Sequence, residues 1–350
     1  MSNNFSPLTA KELVERINKI PKVSLAMLPT PLEFLPNISK ELEINLYIKR
    51  DDCTGLAFGG NKTRHLEFIM AKAVAGDYDC ILTGGASQSN WCRQTLAAAN
   101  KLNLETFLVL MHGVKGNAMQ GNFLLYNILG ANVDVLDGED LEQIPNHLDK
   151  KYQELIKQGR KPLLVNGGFD KKDTVLAGIS YANAMAELDI QMQNSNFMAD
   201  HLFVTAANMT QAGCDLGAKI LNWPTRIQGI SPVIWEMNIK EDIARICNEG
   251  AKMLDVNIEF NEDMINNDNN YVGEKYGVPT QEGLKAMRLL AKKEGIILDP
   301  VYTSKGFSAL IDYTKKGIIK KNQNVIFVFT GGGPAVFAYN EEIANSKNLM

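Results

Sequence analysis

The sequence predicts an α/β protein of two lobes, each an open, mostly parallel sheet flanked by helices, and three observations carry that reading. From Cys80 onward, short apolar runs alternate with amphipathic ones, the βα rhythm that builds parallel sheets. At 350 residues the chain exceeds the size at which one hydrophobic core keeps growing, so the rhythm is shared between two lobes. Three glycine- or hydroxyl-rich segments, TGGASQSN (83–90), TAANMTQAG (205–213) and FTGGGP (329–334), each stand where a strand passes into a helix. Ligands of open α/β sheets collect outside those strand ends.

The elements follow in order. Thr9 caps an amphipathic first helix in MSNNFSPLTAKELVERI. The Pro-rich, apolar SLAMLPTPLEFLP reads as an extended, packed-down crossing. Strand NLYIKR then runs through the turn RDDCTGLAFGGNK into the helix TRHLEFIMAKAVA. Next come strand CILTGG, helix SNWCRQTLAAANKL, strand TFLVLM, helix AMQGNFLLYNILG and strand NVDVL. A charged helix, EDLEQIPNHLDKKYQELIKQG, leads to strand PLLV and a second Gly-Gly turn at Gly167 and Gly168.

The second half repeats the theme: helix TVLAGISYANAMAELD, strand HLFVTAA, helix TQAGCDLGAKIL, strand TRIQGIS and helix EDIARICNEGAKML. The polar NEDMINNDNN reads as loop. Helix TQEGLKAMRLLAKKEG, turn LDPVYTSKG, helix FSALIDYTKKG, strand NVIFVFT and the closing GGGPAVFAY complete the chain. Residues 59–165 are expected to form a small domain, and 1–58 with 166–350 a large one.

Composition excludes several classes. With 36 basic against 40 acidic residues and no long run of either sign, nothing points to nucleic acid or an anionic membrane. Five cysteines, odd in number and without a C-x-x-C pair, suggest neither a disulfide framework nor a zinc knuckle, and read as reduced thiols of a cytoplasmic protein. No apolar run reaches the ~18 residues of a membrane span, and the N-terminus lacks a signal pattern. Cys92, His65 and His112 have no metal-type spacing and read as packing or surface residues, so no metal is expected.

The chemistry concentrates at the first Gly-Gly turn. Gly59 and Gly60 lack a Cβ, so the backbone there can take positive φ and let a ligand approach. Lys62 opens the following helix, where free N–H groups and the helix dipole favour anions. A desolvated lysine so placed suits a carbonyl cofactor such as pyridoxal phosphate, although most Gly-Gly-X-Lys turns are plain turns with a solvated lysine. The three strand-end segments are, singly, compatible with plain βα turns. Together with the lysine they describe an anion-binding cleft.

These residues carry a resemblance. LPTPLE, KRDDCTGLAFGGNKTRHLEF, TGGASQSN with RQTLAAA, GNFLLYNILGA, NYVGEKYGVPTQEGLKAMRLLAKKEGIILDPVYTSKG and FTGGGPAVFAY stand in one order from about 28 to 339. In that order the chain resembles the family of pyridoxal-phosphate enzymes that includes D-cysteine desulfhydrase and 1-aminocyclopropane-1-carboxylate deaminase, of the tryptophan-synthase-β fold type (fold type II). The resemblance implies a homodimer, a small amino-acid substrate and a large domain that binds pyridoxal 5'-phosphate. It implies that Lys62 joins the cofactor covalently and later moves the Cα proton. Ser89 and Asn90 would contact the substrate carboxylate, and Asn90 would also reach the cofactor's ring oxygen. Tyr302 matches the family's active-site tyrosine, an acid, base or nucleophile. Thr303, counted with the cofactor-binding residues, follows where the cyclopropane deaminases have a glutamate. Thr330 matches a hydroxyl residue near the ring nitrogen.

Two departures stand out. Where the family has a Gly-Ser-Gly-Gly-Thr phosphate loop, this chain reads Ala206, Ala207, Asn208, Met209, Thr210. Asn208 can take a left-handed conformation and Thr210 keeps a hydroxyl, while Met209 brings bulk to the phosphate approach, so a weaker grip is expected. The segment Gly167 to Asp173 replaces a Gly-Gly-Ser followed by a short apolar stretch, and Trp91 stands where histidine or glutamine is usual. Trp91 reads equally as a core aromatic and as a pocket wall for substrate. A neutral hydroxyl at Thr330 would not hold the ring nitrogen protonated, which suits β-elimination. The leading expectation is thus β-elimination from a D-cysteine-like substrate to keto acid, ammonia and sulfide. The alternatives are β-replacement or cyclisation on the same cofactor, and a pseudoenzyme that binds an amino acid or partner without chemistry.

Overall fold

A computed structural model describes residues 5–166 and 170–346. Gly167, Gly168 and Phe169, the second Gly-Gly turn and the start of one departure, lie outside the described residues. In chain order the strands are β1 (Leu32–Phe34), β2 (Asn45–Arg50), β3 (Cys80–Ala86), β4 (Glu105–Met111), β5 (Asn132–Leu136), β6 (Pro162–Leu164), β7 (His201–Thr205), β8 (Arg226–Ile230), β9 (Asn267–Asp268) and β10 (Asn324–Phe329). The helices are α1 (Ala10–Ile17), α2 (Pro36–Leu42), α3 (Lys62–Ile69), α4 (Ala71–Ala75), α5 (Asn90–Lys101), α6 (Gly121–Ile128), α7 (Ile144–Lys157), α8 (Lys171–Asn194), α9 (Met209–Ile220), α10 (Ile239–Met253), α11 (Gln281–Glu294), α12 (Thr303–Lys315) and α13 (Asn340–Asn345).

Two sheets organise the chain. One has six strands in the order β1-β2-β10-β7-β8-β9, and the other has four in the order β5-β4-β3-β6. Every pairing is parallel except that of the edge strand β1 with β2. The expected α/β fold with two mostly parallel sheets is therefore present. Burial explains the composition of the central strands: β7 is buried throughout and β10 everywhere but Asn324, so both read as unbroken apolar runs. The two-residue period survives beneath. Leu202, Val204, Ile326 and Val328 pack under α8 with Tyr181 and Met185, while Phe203 and Phe327 face Phe307 and Leu290 on the opposite side.

Thr9 caps α1 as expected, and Glu12 completes a capping box there. Elsewhere the structure adds what the pattern missed. Pro36 opens α2, because proline is tolerated at the first helical position. Within NEDMINNDNN, the residues Asn267 and Asp268 pair with Gly229 and Ile230 as an edge strand rather than loop. The lysine helix is broken at Met70 into α3 and α4.

Sheet register places the functional turns. Arg50 at the end of β2 stands beside Phe329 at the end of β10, and Val328 beside Val204 on β7. The turns after these three strands consequently open on one edge of the sheet. Among the described residues no helix is long and apolar enough to cross a membrane. No group of three His, Cys, Asp or Glu among them is placed to hold a metal ion.

Candidate active site

The turn from β2 into α3 is built by backbone that only glycine tolerates. Gly59 and Gly60 have φ of 65° and 126°. A Cβ on Gly59 would lie 1.9 Å from Asp52 O, and one on Gly60 2.7 Å from Gln94 Nε2. Gly60 N–H donates to Asp51 O and to the Thr54 hydroxyl, and Asn61 N–H donates to Thr330 O at 3.0 Å. The lysine turn is thereby stitched to the turn that follows β10.

Beneath it lies a buried cluster of charge. Arg64 donates to both oxygens of Asp51 and both of Glu187, and Lys49 donates to Glu187 at 2.5 Å. Tyr181 and Thr30 donate to Asp51 as well. Two cations thus balance two anions, which fixes α3 against β2 and α8.

Lys62, the first residue of α3, is half-buried and has no partner among the described residues. Burial lowers its ammonium to about 8. It lines a cleft of about 680 Å3 together with Gly84, Gly85, Ser89, Trp91 and Met209. That volume suits a small cofactor with an amino acid. Trp91 is 8% exposed within the core, its Nε1–H donates to Thr83 Oγ1 at 3.0 Å, and it is also among the residues lining the cleft.

The segment after β7 departs from expectation. Ala207, Asn208 and Met209 line the cleft, whereas Ala206 and Thr210 do not. Asn208 has φ of −136° rather than a left-handed angle, caps α9 through Met209 N–H, and donates to Asp242 Oδ2 at 2.9 Å. The loop's own path, free of positive φ, has no need of glycine. Thr210 turns inward. Ser180 donates to Ala177 O, so it accepts from His65 Nδ1–H, which leaves His65 Nε2 bare to accept from the Thr210 hydroxyl at 3.1 Å. Burial, with Lys62 nearby, keeps His65 neutral, its pKa well below the ordinary value. The Thr210 proton is committed, and its oxygen accepts from Asn61 Nδ2 at 3.1 Å. What this end offers an anion is the N-terminus of α9.

Ser89 caps α5 by accepting from Cys92 N–H, and its backbone carbonyl accepts from Tyr126. Asn90 lines an adjoining cavity of about 420 Å3 with Tyr302, Gln88 and Val114. The two cavities share the lining residues Ala86, Leu141, Glu142, Trp235, Glu236 and Tyr276, so they lie side by side.

Tyr276 escaped the sequence reading, although it sits in the quoted NYVGEKYGVPT. Its hydroxyl lies 2.6 Å from that of Tyr302, and burial pushes both phenols above the ordinary range. Tyr302 is aimed by Asp299, which accepts from the N–H groups of Val301, Tyr302 and Thr303. Those bonds start α12 four residues before the apolar run FSALIDY. Burial raises the Asp299 carboxyl against the pull of those donors. Thr303 is fully buried, donates to Asp299 Oδ2 at 2.5 Å and accepts from Asp299 N–H at 2.9 Å, so its hydroxyl is closed off from both cavities. Thr330 is 8% exposed, beside Asn61 and the left-handed Gly331 and Gly332.

A lysine without a counter-ion, a helix N-terminus across the cleft and a hydroxyl residue beside the lysine turn fit a carbonyl cofactor bearing a phosphate. Comparison with known proteins agrees. Residues 23–331 match the family described as pyridoxal-phosphate dependent enzyme. The chain is 34% identical to 1-aminocyclopropane-1-carboxylate deaminase of Ralstonia nicotianae, over 93% of this chain and 98% of that one. It is 32% identical to D-cysteine desulfhydrase of Klebsiella pneumoniae, over 94% and 99%. A crystal structure of an ACC deaminase homologue superposes with a TM-score of 0.87 at 34% identity, covering 96% of this chain and 99% of the other. The lysine at the glycine turn, the two mostly parallel sheets and these matches along nearly the whole length place the chain in the family of pyridoxal-phosphate dependent enzymes.

Proposed function

We propose that the protein is a lyase that removes a β-substituent from a small amino acid such as D-cysteine, giving keto acid, ammonia and sulfide. The observation that carries this reading is Lys62, unpaired and lowered by burial to about 8, so that a neutral amine able to take a Cα proton is accessible near neutral pH. Pyridoxal phosphate, when bound, supplies the electron sink for the broken Cα–H bond. Lys62 holds the cofactor and then the proton. Ser89 and Asn90, at the N-terminus of α5, receive the substrate carboxylate. The Tyr302 and Tyr276 hydroxyls, 2.6 Å apart, stand as a proton-holding pair at the junction of the two cavities.

Opening a cyclopropane amino acid offers Lys62 no Cα proton, and Thr303 presents no acid, its hydroxyl being sealed against Asp299. Keto acid release from D-cysteine and β-chloro-D-alanine, with 1-aminocyclopropane-1-carboxylate in parallel, tests the assignment. Turnover of the first two is expected, and efficient release from the third alone would overturn it. A second reading, β-replacement, is favoured by the adjoining cavity of about 420 Å3, which has room for a second nucleophile. A thioether product on adding thiols would select it.

A further inference from the structure

Arg93 has no role in the readings above, yet it holds an unusual position. Its side chain is fully buried, and its hydrogen bonds go to neutral oxygens alone. NH1 donates to Asn90 Oδ1 at 2.9 Å and to Asn122 Oδ1 at 2.7 Å, and NH2 donates to Gly59 O at 2.8 Å. Nε faces no acceptor. Among the described residues no carboxylate pairs with it, so the chain buries a cation and supplies no counter-charge.

The chemistry of the guanidinium settles the orientation of the amides around it. Arginine has donors and no acceptor, so both amide oxygens must face it. Asn122 then donates through Nδ2 to Gln88 O at 2.7 Å and to Asn90 Oδ1 at 2.9 Å, so the Asn90 oxygen accepts twice. The Asn90 N–H pair, without a partner among the described residues, is what remains for the cavity that Asn90 lines. Through Gly59 the same guanidinium holds the turn that presents Lys62.

We propose that Arg93 is a positioning residue that locks Asn90 as a donor toward the cavity it lines beside the Lys62 cleft and polarises it, its buried charge being answered by an anionic oxygen of the bound molecules. The proposal rests on the cleft being a lysine-bound pyridoxal-phosphate site. That oxygen is either the cofactor's ring oxygen or the substrate carboxylate, since both present the same chemistry to the Asn90 amide.

A positive charge favours the deprotonated, more negative form of the lysine-bound cofactor, so removing it raises the pH at which the visible band titrates. Glu142, Lys171, Glu236, Asp242 and Arg245 also line the cleft with Lys62, and they are the same in wild type and variant, so the difference in midpoint isolates Arg93. Tyr126 of α6 faces Arg93 and Cys92 precedes it, and burial pushes the phenol well above its ordinary range and the thiol up to about 12. Near Lys62, His65 stays neutral.

The test compares cofactor-loaded wild type, Arg93→Met, Arg93→Lys, Asn90→Ala and the Arg93→Met/Asn90→Ala double variant. If the partner is the ring oxygen, Arg93→Met raises the substrate-free midpoint by about one pH unit, and Arg93→Lys recovers part of the shift. If it is the substrate carboxylate, the midpoint stays and KM for the amino acid rises roughly tenfold with kcat little changed. In either case Arg93→Met adds little once Asn90 is alanine, because the two act as one unit. Additive effects, or a loaded Arg93→Met with midpoint and KM both unmoved, would overturn the proposal. Should Arg93→Met not fold, Arg93→Lys with its own Asn90→Ala cycle decides in the same way. A wild type without a visible band after soaking in pyridoxal phosphate would instead refute the cofactor reading.

Discussion

Arg64→Met is the sharpest probe of how the lysine turn is held. The arginine makes five hydrogen bonds, two to Asp51, two to Glu187 and one to Thr30, all between 2.8 and 3.0 Å. Arg64 and Asp51 are 2% and 1% exposed, so methionine fills the space but leaves two largely buried carboxylates facing the Lys49 ammonium alone. Breaking a buried ion pair from one side costs about 3–5 kcal/mol, a large share of the ~5–15 kcal/mol that folded proteins have in hand. Burial pushes the Asp51 and Glu187 carboxyls up, but Arg64 and Lys49 outweigh it and hold both below their ordinary range. Carboxyls depressed in the folded state stabilise it above their unfolded pKa, and that contribution is lost as pH falls through the folded value. In the variant both carboxyls rise, so acid neutralises what it has left uncompensated. The loss should therefore be full at neutral pH and smaller at about pH 5. Urea unfolding at the two pH values measures it, as a drop in midpoint with unchanged slope. A loss below about 1 kcal/mol at neutral pH, or one that grows on acidification, would refute the claim that this cluster anchors α3.

Three further outcomes are expected. Lys62→Ala should abolish the visible band that borohydride fixes in the wild type and lower keto acid release by about 10³-fold, read by absorbance and product assay. Uptake of pyridoxal phosphate by cofactor-free protein should speed up with rising pH and level off above about 8, where Lys62 has lost its proton, and stopped-flow absorbance follows it. Asn208→Ala should cost about 1 kcal/mol through the lost α9 cap, and should weaken cofactor affinity several-fold by leaving Asp242 Oδ2 without its Asn208 donor at the mouth of the anion site, as equilibrium titration would show.

Much of this molecule was legible residue by residue. The βα rhythm announced two parallel sheets because central strands, covered on both faces, must be apolar throughout. The glycine pair at 59 and 60 announced its turn because positive φ, together with the close approach of Asp52 O and Gln94, leaves no room for a Cβ. Lys62 could be singled out because it opens the helix after the glycine turn, a local property, whereas Ser89 and Asn90 stood in a strand-end segment and took their roles from the family resemblance. Tyr276 and Arg93 were not legible in that way. Tyr276 gains its meaning from a hydroxyl contributed 26 residues later, and Arg93 from partners that, among the described residues, include no carboxylate. Thr210 and Thr303 carried hydroxyls at positions suited to a ligand, and the sequence could announce no more than the hydroxyl. Where that proton points was decided by His65 and Asp299, brought alongside by α3 and by the turn before α12. By itself the sequence determined the two-sheet fold and the lysine turn, because backbone angles, periodicity and strand-end placement are local, and it pointed to the class of cofactor through the resemblance that its ordered motifs carry. The tertiary structure decided which hydroxyls are free and which charges are balanced, because a hydrogen bond is used up by whatever partner folding brings within about 3 Å.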